Sequence, residues 1–362
     1  MKTYRLPLLL IIIAFAFASS ALAQSLFVPT RYSDWVNVID PFTNQILTQI
    51  PVGSFPIRLA MTPNRLKAFV SNGRDATVSV IDTVARTNTA TIPVGLYPGE
   101  SAITPDGGRL FLLHQSGNHG QCPVDIIDTA TNQIITTVFI PGNHGKDILF
   151  TPDGRSAYIA NFGAGEVDAM DTTTYQVTSI PTAPGPRRLC ISPAGDRVYV
   201  ANNKVDSVSA IDTATKQVVA TIQVGQRPMG IAITPNGEEV YVTSVHDGTV
   251  SVIDTTTLTV IATIPIGIHT ERVVISRNGA QAFVTSGYTD TVSAINTATH
   301  TVIATLPTGH HPFEMLISPN GKKLYVTNAS DTTVTVVDIP SLTVSDTITD
   351  VGTAPFEVVV GP

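Results

Sequence analysis

The sequence predicts an all-β chain closed into a ring of eight four-stranded antiparallel blades, an eight-bladed β-propeller. Three observations predict it. One motif recurs eight times at a step of about 42 residues, each repeat breaks into short β-rich runs, and the two chain ends carry complementary parts of one repeat.

The motif ends an apolar run with an acid or amide: Val38-Ile39-Asp40, Val80-Ile81-Asp82, Ile126-Ile127-Asp128, Ala169-Met170-Asp171, Ala210-Ile211-Asp212, Val252-Ile253-Asp254, Ala294-Ile295-Asn296 and Val336-Val337-Asp338. Repetition at this period is the signature of stacked or radial architectures. Within one unit, strands are expected at Arg188 to Ser192, Val198 to Ala201, Ser207 to Ile211 and Gln217 to Val224. Each run is rich in Val, Ile, Tyr and Thr and is bounded by turn residues, and none has helical periodicity. Thr104-Pro105-Asp106-Gly107, Thr151-Pro152-Asp153-Gly154 and Ser318-Pro319-Asn320-Gly321 read as the turns between first and second strands. Proline pre-sets φ there, and Asn or Asp followed by Gly tolerates what comes next. The Asp after each third strand reads as an Asx turn rather than a calcium ligand, because these acids stand singly.

The N-terminal part begins in mid-unit, with Leu26-Phe27-Val28 as a second strand, Trp35 to Asp40 as a third and Ile46 to Val52 as a fourth. Pro355 to Pro362 parallels Pro312 to Pro319, a first strand. Joining the two ends in one sheet completes the eighth blade and leaves no open edge.

Second strands read Tyr325-Val326-Thr327-Asn328, Tyr241-Val242-Thr243-Ser244, Tyr199-Val200-Ala201-Asn202, Tyr158-Ile159-Ala160-Asn161 and Phe69-Val70-Ser71-Asn72, with third strands such as Thr249 to Asp254. On these motifs the chain resembles the YVTN-repeat β-propeller family over most of its length. The resemblance implies the propeller fold. Propellers of this kind occur in surface-layer proteins, and similar ones occur in lactonases and haem d1 proteins.

Residues 1–23 have the layout of a secretory signal: basic Lys2 and Arg5, an apolar run from Leu8 to Ala18, and Ala21-Leu22-Ala23 before a cut at Gln24. No cysteine near the cut marks a lipoprotein, no twin arginine precedes the apolar run, and no later segment is long enough to cross a bilayer. Residues 24–362 are expected to form a single propeller domain, a monomer in the periplasm or at the cell surface. That portion carries 19 basic and 28 acidic residues, a balance that argues against nucleic acid as partner. The two cysteines, Cys122 and Cys190, are too few for a disulfide framework.

No metalloprotease, nucleophile-elbow, phosphate-loop or covalent-haem motif is present. Topology is the better guide. The links from fourth strand to next first strand share a face with the links from second to third, at the mouth of the central channel. The second residue after the proline position of each link is, in order, Arg58, Glu100, Asp147, Arg188, Gly230, Arg272, Glu314 and Glu357. Four acids and three arginines thus converge at one level, as an ion-paired rim or a ligand site. His144, His269, His310 and His311 fall in the same links, and His114, His119 and His246 at or in the second-to-third links. With no ligand spacing recognisable, they read as surface imidazoles, and no metal and no cofactor is expected. An insertion around Ser116 to Cys122 lengthens one unit on that face. His119 and Cys122 within it do not complete a metal site, and Cys190 reads as a buried apolar residue.

The leading expectation is an exported, non-catalytic binding or scaffold propeller. It would engage an envelope or extracellular protein, or a small ligand, through that face, with Arg58, Glu100, Asp147, Arg188, Arg272, Glu314, Glu357, His144, His269 and His311 as binding residues. The lactonase resemblance implies an alternative. In it Arg188 and Arg272 hold a carboxylate or oxyanion, and Glu100, Asp147, Glu314 or a nearby histidine acts as base. The haem d1 resemblance implies a redox-associated role.

Overall fold

The computed structural model describes residues 24–115, 120–142 and 144–361. They form eight four-stranded antiparallel sheets arranged as an eight-bladed β-propeller. Blades 1 to 7 begin with the inner strands Pro56–Met61, Pro98–Ile103, Gly145–Phe150, Pro186–Ile191, Pro228–Ile233, Thr270–Ile275 and Pro312–Ile317. In each, sequence order is spatial order from the channel outward. In blade 4 the strands Pro186–Ile191, Arg197–Asn202, Ser207–Asp212 and Gln217–Gln223 fall within two residues of the expected runs.

Burial follows radial position. The second and third strands of blade 4 are almost wholly buried, whereas Gln217–Gln223 alternates between exposed and partly covered residues. A middle strand packs against neighbouring blades on both faces, so it needs a continuous apolar run. An outer strand meets solvent and keeps the period-two pattern.

The core is a chain of handovers between blades. Each second strand presents one aromatic ring: Phe27, Phe69, Phe111, Tyr158, Tyr199, Tyr241, Phe283 and Tyr325, all essentially without solvent exposure. Tyr158 of blade 3 clusters with Leu189, Val198 and Ile211 of blade 4. Tyr199 of blade 4 enters blade 5 beside Val240 and Ile253, and Phe283 of blade 6 enters blade 7 beside Leu324 and Val337. The rings therefore pack between sheets. Truncating a buried aromatic to alanine costs about 3–5 kcal/mol, so each handover is a strong tie between two blades.

The turns behave as their chemistry requires. Thr104 Oγ donates to Asp106 Oδ1 at 2.6 Å, and the Gly107 N–H, at φ 79°, donates to Thr104 O at 2.8 Å. Asp212 Oδ1 accepts the Thr215 N–H at 2.8 Å, and Asp171 Oδ1 accepts that of Thr174 at 2.7 Å, which are the expected Asx turns.

Blade 8 is composite. Leu26–Thr30, Trp35–Ile39 and Ile46–Pro51 are joined on the channel side by Val359–Val360, with Leu26 opposite Val360 and Phe27 opposite Val359. The closing strand is shorter than the sequence reading, which ran it from Pro355 to Pro362. Pro355 makes an isolated bridge to Thr30, and Phe356 to Val358 leave the ladder. Proline lacks the N–H that a continuous ladder needs. Beyond the strand, Gly361 donates to Ser25 O at 2.8 Å. A Cβ at Gly361 would stand 2.3 Å from the Phe27 ring, so only glycine fits there. Tyr325 of blade 7 seals the seam against Leu26, Val28, Val358 and Val360.

No helix among the described residues is long and apolar enough to cross a membrane. The expected signal segment, His119 and most of the insertion at Ser116 lie outside the described residues.

Removing Pro355 to Pro362 takes away the pairing partner of Leu26–Thr30 and part of the Tyr325 cluster. The expected outcome is a thermal midpoint lowered by more than about 10 °C, with loss of a single sharp transition by circular dichroism. A truncated chain that melts like the full chain would show that the ring closes without its final strand.

Candidate functional site

The channel mouth is built by irregularities at the start of the inner strands. In blade 3, Gly145 pairs with Asn161 and Asp147 with Ala160, which leaves Lys146 as an extra residue. In blade 4, Pro186 pairs with Asn202 and Arg188 with Ala201, leaving Arg187 extra. Blade 1 repeats this with Pro56, Ile57 and Arg58. A bulge of this kind re-aims side chains. Two consecutive residues per link therefore line the mouth, where plain alternation would allow one.

The second of the two residues makes the floor. Arg58 grips Glu100 with two bonds, Nε to Oε2 at 2.7 Å and Nη2 to Oε1 at 2.8 Å. Arg188 reaches Glu100 at 3.5 Å and Asp147 at 3.3 Å. Arg272 is ion-paired with Glu314, and Glu357 accepts the Leu59 backbone N–H. The seven charged residues singled out by spacing are thus gathered at one level and engaged with one another or with backbone. Burial pushes the Glu100 carboxyl up, but Arg58 and Arg188 outweigh it and hold the group down at about 2. Glu357 is the exception: burial lifts it to about 7 against the pull of Arg58. Burial and the charge of Arg188 lower Arg272 to about 10. Gly230 takes the eighth place, and a Cβ there would stand 2.5 Å from Glu271 O, so blades 5 and 6 close up at this point.

Above the floor opens a cavity of about 460 Å³, within the usual range for a small-molecule site. One arc is basic. Lys146 and Arg187 line it, and Arg31, from the second-to-third link of blade 8, stands across the mouth. Among the described residues none of these three forms an ion pair, unlike the arginines below. Burial lowers all three, Arg31 to about 10; the charge of Arg187 adds to the lowering of Lys146, and that of Arg188 to the lowering of Arg187. The other arc is aromatic. Phe313 and Phe356 lie 4.7 Å apart between ring centroids, Arg31 sits 3.4 Å over Phe356, and Arg272 sits 4.5 Å over Phe313. Exposed Tyr32 and Tyr97 stand nearby on the same face.

The histidines divide. His269 and His311 both meet Glu271: His269 Nδ1 is 2.7 Å and His311 Nε2 is 3.2 Å from Oε1. The hydrogen bond that His311 donates to the Glu271 carboxylate raises the His311 pKa. His144 stands beside Lys146, where burial and then the lysine charge lower it. His310 is exposed and pairs with Asp290 at 2.7 Å. His114 stands at the second-to-third link as expected, but it is not a surface imidazole. It is fully buried at the end of Arg109–His114, its Nε2 2.8 Å from Asp125 and its Nδ1 3.0 Å from Leu96 O. It occupies the place of Asn72 and Asn161 in other blades, whose amides make the equivalent ties to Ser79 and Asp168.

Cys122 also differs from its expected loop position. It lies inside the strand Gln121–Asp128, fully buried, and its thiol donates to His114 O at 3.1 Å. Cys190 is buried in the inner strand of blade 4, and both cysteines are free thiols. Lys146, Arg187, Arg31 and Glu271 are site residues that sequence spacing missed. Their signal was adjacency: Lys146, Arg187 and Glu271 each immediately precede a rim residue.

No protein-family model matches the sequence, and no curated protein matches it. Solved structures share the β-propeller fold. Hydrazine synthase of Kuenenia stuttgartiensis aligns at TM-score 0.63 and 24% identity over 78% of this chain and 95% of that one. The dihydro-haem d1 dehydrogenase NirN in complex with DHE aligns at TM-score 0.79 and 14% identity, over 93% of this chain and 75% of that one. A functionally unknown protein from Desulfotomaculum acetoxidans aligns at TM-score 0.63 and 17% identity, over 93% and 98%.

A buried carboxyl held at about 7 binds its proton more tightly in the folded chain than in the unfolded one. Stability therefore falls as pH rises from the ordinary carboxylate range through 7, by up to roughly 3 kcal/mol from this group. Glu357→Gln keeps an acceptor for the Leu59 N–H and removes the titration. Urea unfolding between about pH 5 and 8 should show a shallower loss of stability in the variant. A residual slope should remain from Asp168, which burial lifts to about 6. An unchanged slope would show that Glu357 titrates normally.

Proposed function

We propose that this chain is an exported binding propeller of the YVTN-repeat type that holds a small anionic molecule with a flat apolar body at its channel mouth. The observation that carries the reading is the pairing of two arcs around one cavity. Among the described residues Arg31, Lys146 and Arg187 have no acidic partner, and Phe313 and Phe356 offer an apolar wall beside them. Each cation is partly stripped of water, and an anionic ligand would restore what burial removes. The aromatic wall supplies area and orientation.

The charged floor favours binding over hydrolysis. Arg188 is engaged by Glu100 and Asp147, and Arg272 by Glu314, so the arginines of a lactonase-like site already hold carboxylates. A haem d1-related role is the second reading, and the observation that favours it is NirN, a structure of the same fold determined with DHE bound. Such a ligand would satisfy the same chemistry, carboxylates toward the cations and a flat ring system against the phenylalanines.

Fluorescence titration with 8-anilinonaphthalene-1-sulfonate, an aromatic anion, tests the main reading, and haemin absorbance tests the second. Saturable binding is expected, weakened about tenfold or more in a Lys146→Glu, Arg187→Glu double variant, because a charge-assisted contact contributes about 1.5–3 kcal/mol. Binding that is absent, or indifferent to both reversals, would remove the mouth as an anion site.

A further inference from the structure

Beside the mouth, two imidazoles from successive blades share one buried carboxylate. His269 and His311 occupy the same place before the inner strands of blades 6 and 7, and Glu271 lies between them with 3% exposure. The rings meet edge to face, centroids 5.6 Å apart, which brings one nitrogen of each to Glu271 Oε1.

Hydrogen bonding accounts for only part of this cluster. His269 Nδ1 stands 2.7 Å from Oε1, yet it has no aligned hydrogen bond among the described residues, and neither has the buried Glu271 Oε2. A buried polar atom without a partner costs about 1–3 kcal/mol, and a cation shared between these two atoms would satisfy both. The spacing is near that of one. Ligands about 2.1 Å from a tetrahedral ion stand about 3.4 Å apart; His311 is close to that at 3.2 Å, His269 at 2.7 Å would draw back by roughly 0.7 Å, and all three ligand atoms lie within 4.8 Å of one another.

Backbone and neighbours hold the geometry open. His269 and His311 sit at φ 64° and 55°, in the left-handed turn that precedes the inner strand of most blades, as at Phe55, Tyr97 and Arg227. Non-glycine residues pay about 1–2 kcal/mol for that conformation. The turns are pinned nonetheless: the His311 N–H donates to Asp290 Oδ1 at 2.8 Å, and His269 O accepts the Gly287 N–H at 2.9 Å. Tyr288 stacks on His269 at 4.1 Å. Gly287 is the telling neighbour. A Cβ there would stand 3.1 Å from His269 Nδ1 and 3.2 Å from His311 Nε2, so any other residue would crowd both ligand atoms unless the rings gave by a few tenths of an ångström.

We infer that His269, Glu271 and His311 form a site for one first-row transition-metal ion of the zinc class, with an open coordination position toward the channel mouth. Two imidazoles and one carboxylate match the ligand preference of such ions, whereas calcium and magnesium require an oxygen shell. Glu271 and His311 line the mouth cavity, so water or a group of a bound ligand can complete the ion's coordination. The inference goes beyond the anion reading and stands whether or not the mouth binds an anion.

The test uses tag-free full chain treated with chelator and titrated with Zn²⁺ by calorimetry, and with Co²⁺ by visible absorption. One equivalent should bind, with Co²⁺ giving the intense bands of a low-symmetry four- or five-coordinate ion. His269→Ala and His311→Ala should each weaken binding about tenfold or more, while His310→Ala, the exposed neighbour, should leave it unchanged. Glu271→Gln should also weaken it. If that buried change impairs folding by circular dichroism, the partly exposed His311→Ala decides. Failure of the parent chain to bind either ion, or binding that survives both histidine changes, overturns the site. Running the aromatic-anion titration in chelator keeps the two readings separable.

Discussion

Every blade gives one aromatic ring to the next, and the whole architecture depends on that chain of handovers having no end. A four-stranded sheet with two apolar faces cannot be stable alone, because its middle strands expose both faces. Phe69, Phe111, Tyr158 and their counterparts cover a neighbour's face while their own blade is covered in turn. The eighth handover, Tyr325 into the composite blade, requires Val358 and Val360 from one end of the chain and Leu26 and Val28 from the other. Closure is thus the condition under which every other blade is fully buried.

A closed ring also explains the electrostatics of the channel. Eight inner strands converge, so any charge at a fixed offset meets its equivalents from neighbouring blades. A convergent ring of one sign would repel itself, and a buried unpaired charge is expensive. The floor resolves this by mixing signs, with the Arg58–Glu100–Arg188–Asp147 chain on one side and Arg272–Glu314 on the other. The fourth acid exceeds the three arginines, and burial pushes that surplus, Glu357, toward its neutral form.

The fold was legible because its signals are repeated. Turn residues, β-branched runs and the 42-residue step each recur, so an error in one unit is corrected by seven others. The charged floor was legible for the same reason, as an offset that could be counted. Lys146, Arg187 and Glu271 escaped because alternation sends neighbouring residues to opposite faces, and the bulge at the inner strand suspends that rule. Arg31 escaped because it comes from a different link in the composite blade. The sequence puts His114 at the correct strand end but reads it as a surface imidazole; its slot is the buried structural one that asparagine fills elsewhere. The sequence reading assigns Cys122 to the inserted loop, but it lies in the strand that follows it.

Chemistry in this molecule resides where blades depart from the common pattern. A perfectly uniform ring would present eight equal side chains to the mouth and could not tell one side of a ligand from another. The first residue after the proline position instead runs Ile57, Gly99, Lys146, Arg187, Met229, Glu271, Phe313 and Phe356, which sorts the mouth into a basic arc, an acidic point and an aromatic wall. None of these changes disturbs the strands, because each sits in a bulge outside the regular ladder. The aromatic handovers keep the frame rigid, and that rigidity lets a few cations with no acidic partner among the described residues stay poised around an open cavity.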